Sequence, residues 1–314
     1  MKFDVVTFGS ATYDIYLFSK EFELKKTNEG VMLCQMYGAK VLVDACVVVT
    51  GGGATNAAVC FERMGLQSGI VACLGRDHWG SLVRAKLAEE GVSLIHLQST
   101  TKKPTSSSVV LVGKDGGRTL MVYRAASNLL SWRKVDWKRL DARWLYVSSL
   151  GGDFNLLTKI IRLCREKDIK LAFNPGSQEL ERNKELKQAL HYVDVLLFNK
   201  QEALMLLGKT DGQTLKDEEM FGLGAKLVVV TEGRKGATVY DSQGKKYKQK
   251  VIEAETVEET GAGDAFGSGF VAAQIHNLSI EQSLLVAATN AAHVVEHIGP
   301  KEGLMFWPEV KAML

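Results

Sequence analysis

The run Glu258-Glu259-Thr260-Gly261-Ala262-Gly263-Asp264 puts three small residues directly ahead of a carboxylate. A stretch of helical character, about 262–276, opens at the same place. A small-residue turn that enters a helix presents several backbone N–H groups in one direction, and the positive end of the helix dipole points the same way. Such a pocket suits an anion, above all a phosphoryl group that gains charge as it is transferred. An Asp at its mouth can take the proton from an attacking hydroxyl, in a reaction that otherwise asks the protein for positioning and charge stabilisation. The same residues also fit a plain helix start, Gly-rich and capped by its Asp. Spacing alone leaves both open.

The rest of the chain supplies the elements that must hold such a site. FDVVTFG reads as a strand that ends at Gly9. Residues 15–48 read as short strands and loops. The turn Gly51–Gly53 leads into a helical run that stops at Gly65, and IVACLG reads as one buried strand. An amphipathic helix is expected over 78–90, closed by Gly91. SSVVLVG and RTLMVYR flank the turn KDGG, a strong hairpin signal. After residue 140, WLYVSS, KLAFN, DVLLFN and KLVVVT are short apolar strands separated by helical or partly helical connections. This alternation predicts an α/β fold, a mostly parallel sheet with helices on both faces. ATVYD and KKYKQKVIEA read as a further hairpin, and the C-terminal part as two helices, about 262–276 and 280–297. A small β-rich lid is expected from about 12–48 and 98–126, on one α/β domain spanning 1–314.

Bulk properties exclude several classes. Apolar residues make up 46% and charged residues 24%, which is ordinary for a soluble globular chain. A net charge of +3 is too small to make nucleic acid or an anionic membrane the main partner. No stretch reaches the roughly 18 apolar residues of a membrane span, and a cytoplasmic location is expected. Five cysteines at irregular spacing, Cys34, Cys46, Cys60, Cys73 and Cys164, argue for small core residues rather than disulfides or zinc.

GAGDAFGSGF, residues 261–270, resembles the C-terminal signature of the ribokinase (PfkB) carbohydrate-kinase family. Gly51-Gly52-Gly53-Ala54-Thr55-Asn56-Ala57-Ala58 resembles its N-terminal GGxxxNxA signature. Asn199-Lys200-Gln201-Glu202 matches its NxxE motif, and the segment Val230–Ala237 resembles its TxGxxGA turn. The four stand in the family's order and cover essentially the whole chain. The resemblance implies an ATP-dependent kinase acting on a sugar or nucleoside hydroxyl. It implies Asp264 as base and Gly261, Ala262 and Gly263 as anion hole. Asn199 and Glu202 would organise Mg²⁺ and the ATP phosphates, with Glu202 reaching the metal through water. Thr231, Gly233, Gly236 and Asn290 would lie beside the nucleotide. Asp14, Gly52, Gly53 and Asn56 would bind the acceptor, and a homodimer through the lid is implied by family likeness alone.

The pattern also has departures. Glu258-Glu259 stand where the family has Asp-Thr, and that Asp helps to hold a monovalent cation. Glu258 is longer by one methylene, so weak or absent K⁺ activation is expected. Gly53 replaces the Lys of ribokinase proper, and Ser148 and Ser149 stand where it has a Glu, so ribose is not supported. A neutral sugar is the favoured acceptor. A nucleoside, or a phosphosugar recognised by Arg124 from the lid hairpin, is the alternative; Arg118 reads as a solvated hairpin residue. A non-catalytic sugar-binding protein of the same fold is a remote alternative. His293-Val294-Val295-Glu296-His297 has the HxxEH spacing of some zinc peptidases, but that reading leaves the four kinase motifs unexplained.

Overall fold

The apolar runs of the sequence become the centre of a sheet whose strands point their carboxyl ends at one edge. The computed structural model describes residues 2–27, 30–113 and 117–314. Among these, the strands in chain order are β1 (Phe3–Phe8), β2 (Thr12–Phe18), β3 (Glu23–Thr27), β4 (Gly30–Cys34), β5 (Ala45–Gly51), β6 (Ser68–Val71), β7 (Cys73–Gly75) and β8 (Gln98–Thr100). They continue as β9 (Ser106–Val112), β10 (Arg118–Tyr123), β11 (Ala142–Val147), β12 (Lys170–Phe173), β13 (Val195–Asn199), β14 (Leu227–Thr231), β15 (Ala237–Asp241) and β16 (Lys246–Gln249). Eight of them form the main sheet in the order β16-β15-β14-β13-β12-β11-β1-β6. It is parallel from β14 to β6 and ends in the antiparallel pair β15 and β16.

Burial on both faces explains why its central strands read as continuous apolar runs. One face packs on the helices Gly53–Arg63, Ala262–Ile275 and Ile280–Val295, and the other on Phe154–Lys167 and Asn183–Leu190. The helix Ala262–Ile275 lies against its neighbour through small residues. A Cβ on Gly269 would sit 3.4 Å from Ala287 Cα. That close approach holds the helix, with Asp264 in its first turn, against its neighbour.

A second sheet has the order β10-β9-β2-β5. Its strands carry residues 12–18, 45–51, 106–112 and 118–123; β5 runs on to Gly51, past the residue 48 at which the first lid segment was expected to end. The β9–β10 hairpin forms as expected, although Lys114, Asp115 and Gly116 of its turn lie outside the described residues. Asn28 and Glu29, in the charged stretch of the first segment, lie outside them as well.

Three expectations need correction. IVACLG is not one strand. The chain breaks at Ala72, so that β6 joins β1 in the main sheet while β7 pairs with β8 in a separate ladder. Residues 98–100, counted with the lid, belong to that ladder. The cysteines divide as well. Cys60, Cys73 and Cys164 are buried, and burial pushes the thiols of Cys60 and Cys164 up to about 11 and about 12, but Cys34 is half-buried and Cys46 exposed on the smaller sheets. Among the described residues no helix is long and apolar enough to cross a membrane.

Candidate active site

The residues singled out from the sequence come together where β1, β11, β13 and β14 end, the edge at which parallel sheets present their connecting loops. β1 delivers Gly9, β11 delivers Ser148, β13 ends on Asn199 and β14 on Thr231. A cleft of about 260 Å³ opens there, lined among others by Asn199, Glu202, Thr231, Gly261, Gly263 and Asp264. It adjoins a larger hollow of about 610 Å³ that shares Thr231 and Gly263 and extends to Gly233, Gly236 and Ala262.

The helix starts at Ala262, two residues before Asp264, and its N-cap is Gly261 with φ 87°. A Cβ at Gly261 would fall 2.3 Å from Pro300 Cβ, so a turn this tight requires glycine. Asp264 therefore sits inside the first turn and does not cap it, which removes the plain helix-start alternative. Its carboxylate instead accepts a hydrogen bond from Asn56 Nδ2 at 2.7 Å. The N–H of Ala262 turns to the Glu259 carbonyl at 3.3 Å, whereas those of Gly263 and Asp264 have no backbone partner among the described residues, an arrangement that suits an anion.

Burial holds the Asp264 carboxyl above the usual range, and the nearby charge of Asp14 adds to this, while Asn56 and Lys301 pull the other way. A carboxylate so placed keeps a real affinity for a proton, as a general base needs. Glycine makes the approach possible: a Cβ on Gly53 would sit 3.6 Å from Asp264 Oδ1 and 2.9 Å from Ser148 Oγ. Gly52, at φ 97°, passes so close to Ser10 that a Cβ would meet its carbonyl oxygen at 2.6 Å.

Asp14 on β2 is buried, 6% exposed. Its Oδ1 accepts from Ser108 Oγ at 2.6 Å and Thr12 Oγ1 at 3.1 Å. Burial raises its pKa, partly offset by Ser108 and by the charge of Lys301. Strand alternation places Asp14 and Tyr16 on one face of the small sheet, with Ser108, Val110, Arg118, Leu120 and Val122 on that same face.

Across the cleft, Asn199 and Glu202 form a capping box. Asn199 Oδ1 accepts from the Glu202 N–H at 2.9 Å, and Glu202 Oε2 accepts from the Asn199 N–H at 2.8 Å. Burial raises the Glu202 carboxyl, and the charge of Asp264 raises it further. Two carboxylates that face one cleft and repel each other would be relieved by a divalent cation that keeps most of its waters, although the described residues hold no cluster of three or more metal-ligating side chains. Gly236, at φ 88°, lies against the Gln249 carbonyl, where a Cβ would come within 2.0 Å.

Other candidates are not brought into the cleft. Asn290 is fully buried. Its Nδ2 donates to the Ala265 carbonyl at 2.8 Å and its Oδ1 accepts from the Met305 N–H at 2.9 Å, so it ties the helix Ala262–Ile275 to the C-terminal segment. The neighbouring Ala288, Ala291 and Ala292 face the larger hollow instead. Arg124 lies one residue beyond β10, exposed, with no hydrogen bond or ion pair among the described residues. Arg118 is not solvated as expected: it reaches Glu258 at 3.4 Å and Glu259 at 3.3 Å. In the HxxEH segment, His293 and His297 are exposed and His297 Nδ1 lies 2.8 Å from the His293 carbonyl. Lys301 was not anticipated. It is 6% exposed, its Nζ donates to the Thr50 carbonyl and, at 3.2 Å, to Thr50 Oγ1, and burial lowers its pKa to about 8 against the charges of Asp14 and Asp264.

A parallel sheet with a small β-sheet over its carboxyl edge, an Asp at a glycine-rich helix start and an Asn–Glu pair opposite define a ribokinase-like phosphotransferase. The family model for pfkB family carbohydrate kinases matches residues 2–305, and the chain belongs to that family. It is 27% identical to the cytidine kinase of Thermococcus kodakarensis over 81% of this chain and 90% of that one. It is 26% identical to the ribokinase of Lactococcus lactis, over 88% and 89%. The ATP-dependent 6-phosphofructokinase of Thermoanaerobacterium thermosaccharolyticum is 25% identical over 99% and 96%. Among solved structures, Arabidopsis thaliana ribokinase complexed with ribose and ATP superposes with a TM-score of 0.82 at 23% identity, covering 100% of this chain and 99% of that one. The protein is thus an enzyme that phosphorylates an alcohol group of a sugar or nucleoside.

Proposed function

We propose that the protein transfers the γ-phosphoryl group of ATP to a hydroxyl of a neutral sugar, with a nucleoside as the alternative acceptor. One observation carries this. The Asp264 carboxylate is held by Asn56 between the Gly51–Gly53 turn and the free N–H groups of Gly263 and Asp264. A hydroxyl placed over Gly53 meets the base on one side and the phosphoryl group on the other. Asp264 removes its proton as the oxygen attacks in line, and the helix-start N–H groups stabilise the charge that develops on the phosphoryl oxygens. Asn199 and Glu202 would hold Mg²⁺, which when bound neutralises phosphate charge. The alanines and Val295 lining the larger hollow suit an adenine ring.

Asp14 accepts hydrogen bonds from acceptor hydroxyls, and Ser108 and Thr12 keep it oriented for that. The buried charge of Lys301 is committed to Thr50, and among the described residues no hydrogen bond or ion pair joins Arg124 to Asp14. An anionic acceptor would therefore meet a carboxylate first. The small sheet carries Asp14 and serves as a lid whose closure excludes water. Its edge strand β10, with exposed Leu120 and Val122 on one face and exposed Met121 and Tyr123 on the other, offers an apolar edge to a second copy of the chain, and a cytoplasmic location accords with ATP as donor.

A phosphosugar is the second reading, because Arg124 continues the run of β10 residues that share a face with Asp14. ADP release against neutral sugars, nucleosides and phosphosugars decides between them. The expected result is preference for a neutral acceptor, unchanged in Arg124→Ala. Preference for a phosphorylated acceptor that is lost in Arg124→Ala makes Arg124 the anion-recognition residue.

A further inference from the structure

The cleft that holds Asp264 has an unbalanced wall. The charged side chains lining it, among the described residues, are Arg118, Glu202, Glu259 and Asp264. Three carboxylates face a place where a phosphoryl group must accumulate negative charge, and one side-chain cation faces them. That cation does not come from the main sheet. Arg118 opens β10 on the edge of the small sheet and reaches across to the segment just before the catalytic helix.

The way Arg118 is held is specific. Its Nε lies 3.4 Å from Glu258 Oε1 and its Nη1 donates to Glu259 Oε2 at 3.3 Å. Glu258 is fully buried, and its Oε1 also accepts from the Thr260 N–H at 2.7 Å and from the Thr260 hydroxyl. Two edges of the guanidinium are thus fixed from behind, while Nη2 has no partner among the described residues. The side chain is 26% exposed and lines both the Asp264 cleft and the adjoining hollow beside Gly263. Among the described residues Arg118 Nε, Glu258 Oε2 and Tyr16 Oη are buried without a well-formed hydrogen bond, Arg118 Nε keeping only its ion pair with Glu258, and Tyr16 senses the charges of both Glu258 and Arg118 as well as the nearby Thr260 hydroxyl. Unsatisfied groups clustered at one junction point to an arrangement kept for function rather than stability.

We infer that Arg118 is a further catalytic residue, which contacts the transferring phosphoryl group through its free guanidinium edge, and that Glu258 is the residue that positions it. This rests on the phosphoryl-transfer reading of the same site. In the step, the bond from the acceptor oxygen to the γ-phosphorus forms, and the bond from that phosphorus to the β–γ bridging oxygen breaks. The hydroxyl proton passes to Asp264 and ADP leaves with the bond's electron pair. Arg118 is unchanged. Its N–H groups donate to phosphoryl oxygens whose charge rises in the transition state, the circumstance in which a planar guanidinium is most effective. Because the residue rides on the small sheet, its place in the cleft depends on that sheet staying docked against Glu258 and Glu259.

The test compares Arg118→Ala, Arg118→Lys and Glu258→Gln with the wild type, using acceptor-dependent ADP release and calorimetric binding of a non-hydrolysable ATP analogue. Arg118→Ala is expected to lower kcat about 10²–10³-fold, the range for losing one preorganised charge donor, with the acceptor KM changed less than about threefold. Added guanidinium ion should restore part of the rate in Arg118→Ala and none in the wild type. Arg118→Lys should recover little, since an ammonium cannot bridge Glu258 and the phosphoryl group together. Glu258→Gln should lower kcat less than Arg118→Ala and lose added effect when combined with it. If Glu258→Gln fails to fold, the guanidinium rescue of Arg118→Ala stands alone as the decisive readout. Wild-type turnover retained in Arg118→Ala, or a raised acceptor KM with kcat intact, overturns the inference while leaving the kinase reading in place. Absence of acceptor-dependent ADP release in the wild type overturns the kinase reading and this inference with it.

Discussion

Replacing Gly51 by alanine should impair acceptor use without touching ATP. The backbone at Gly51 is ordinary extended chain, so the substitution is not strained in itself. A Cβ there, however, would fall 1.8 Å from Asp14 Oδ2 and 2.9 Å from Asp14 Cγ. The obstacle is the tip of one side chain, so the carboxylate must swing away and give up the Ser108 bond at 2.6 Å and the Thr12 bond at 3.1 Å. A hydrogen bond to a charged group is worth about 1.5–3 kcal/mol. If Asp14 binds an acceptor hydroxyl, kcat/KM for the acceptor should fall about 10- to 150-fold. Overpacking adds a stability cost of about 1–3 kcal/mol, which a urea melt will register separately. The assay is ADP release at saturating ATP over a range of acceptor concentrations, with Asp14→Ala alongside. Gly51→Ala and Asp14→Ala should reach similar acceptor values and should not add when combined. An acceptor KM within threefold of wild type in both variants removes Asp14 from the acceptor site.

Two further perturbations follow from the buried charges. Lys301 has its pKa lowered from 10.5 to about 8, so the unfolded chain binds more protons between those values and stability rises with pH across that window. The Lys301 contribution should recover about 2 kcal/mol between pH 7 and 9.5, and the wild-type minus Lys301→Met difference in urea unfolding should move by that amount; a difference independent of pH contradicts a buried ammonium. Glu202→Gln keeps an oxygen for the Asn199 N–H but loses the charge, so the fold should hold while the Mg²⁺ concentration for half-maximal activity rises about 10- to 100-fold; an unchanged Mg²⁺ requirement takes Glu202 out of the metal site. K⁺ should activate weakly or not at all, because Glu258 is already engaged by Arg118 and Thr260, and strong K⁺-selective activation at fixed ionic strength contradicts this.

What was legible in the sequence was contiguous. The Gly261–Asp264 turn, the Gly51–Gly53 turn with Asn56, and Asn199 with Glu202 each work within one loop-to-helix junction, where spacing and geometry are nearly the same thing. The parallel sheet was legible for a related reason, since strands buried on both faces are written as unbroken apolar runs. What depended on register or on distant packing was not. Arg118 faces the cleft because its strand parity matches that of Asp14, and it meets a residue 141 positions away. Lys301 sits in a Gly-Pro-Lys-Glu-Gly turn that looks like any surface turn until β5 closes over it, 251 residues distant in sequence. Asn290 shows the opposite case: the helix that family likeness puts beside the nucleotide does line the larger hollow through Ala288, Ala291 and Ala292, yet Asn290 itself spends its amide on the Ala265 carbonyl and the Met305 N–H. The break at Ala72 was hidden because β6 and β7 are equally buried, so hydrophobicity carries no mark of the change of sheet.

The most direct test is single-turnover phosphoryl transfer from ATP to the preferred acceptor, measured for the wild type and Asp264→Asn across pH. With Asp264 as base, the amide should slow the chemical step about 10²–10⁴-fold while ATP binding stays within threefold. The wild-type rate should fall on acidification through a pKa above the ordinary carboxylate range, because burial favours the protonated form. Asp264→Asn should lose that acid limb. Near-wild-type transfer by Asp264→Asn, with the acid limb intact, would contradict the assignment of Asp264 as the catalytic base.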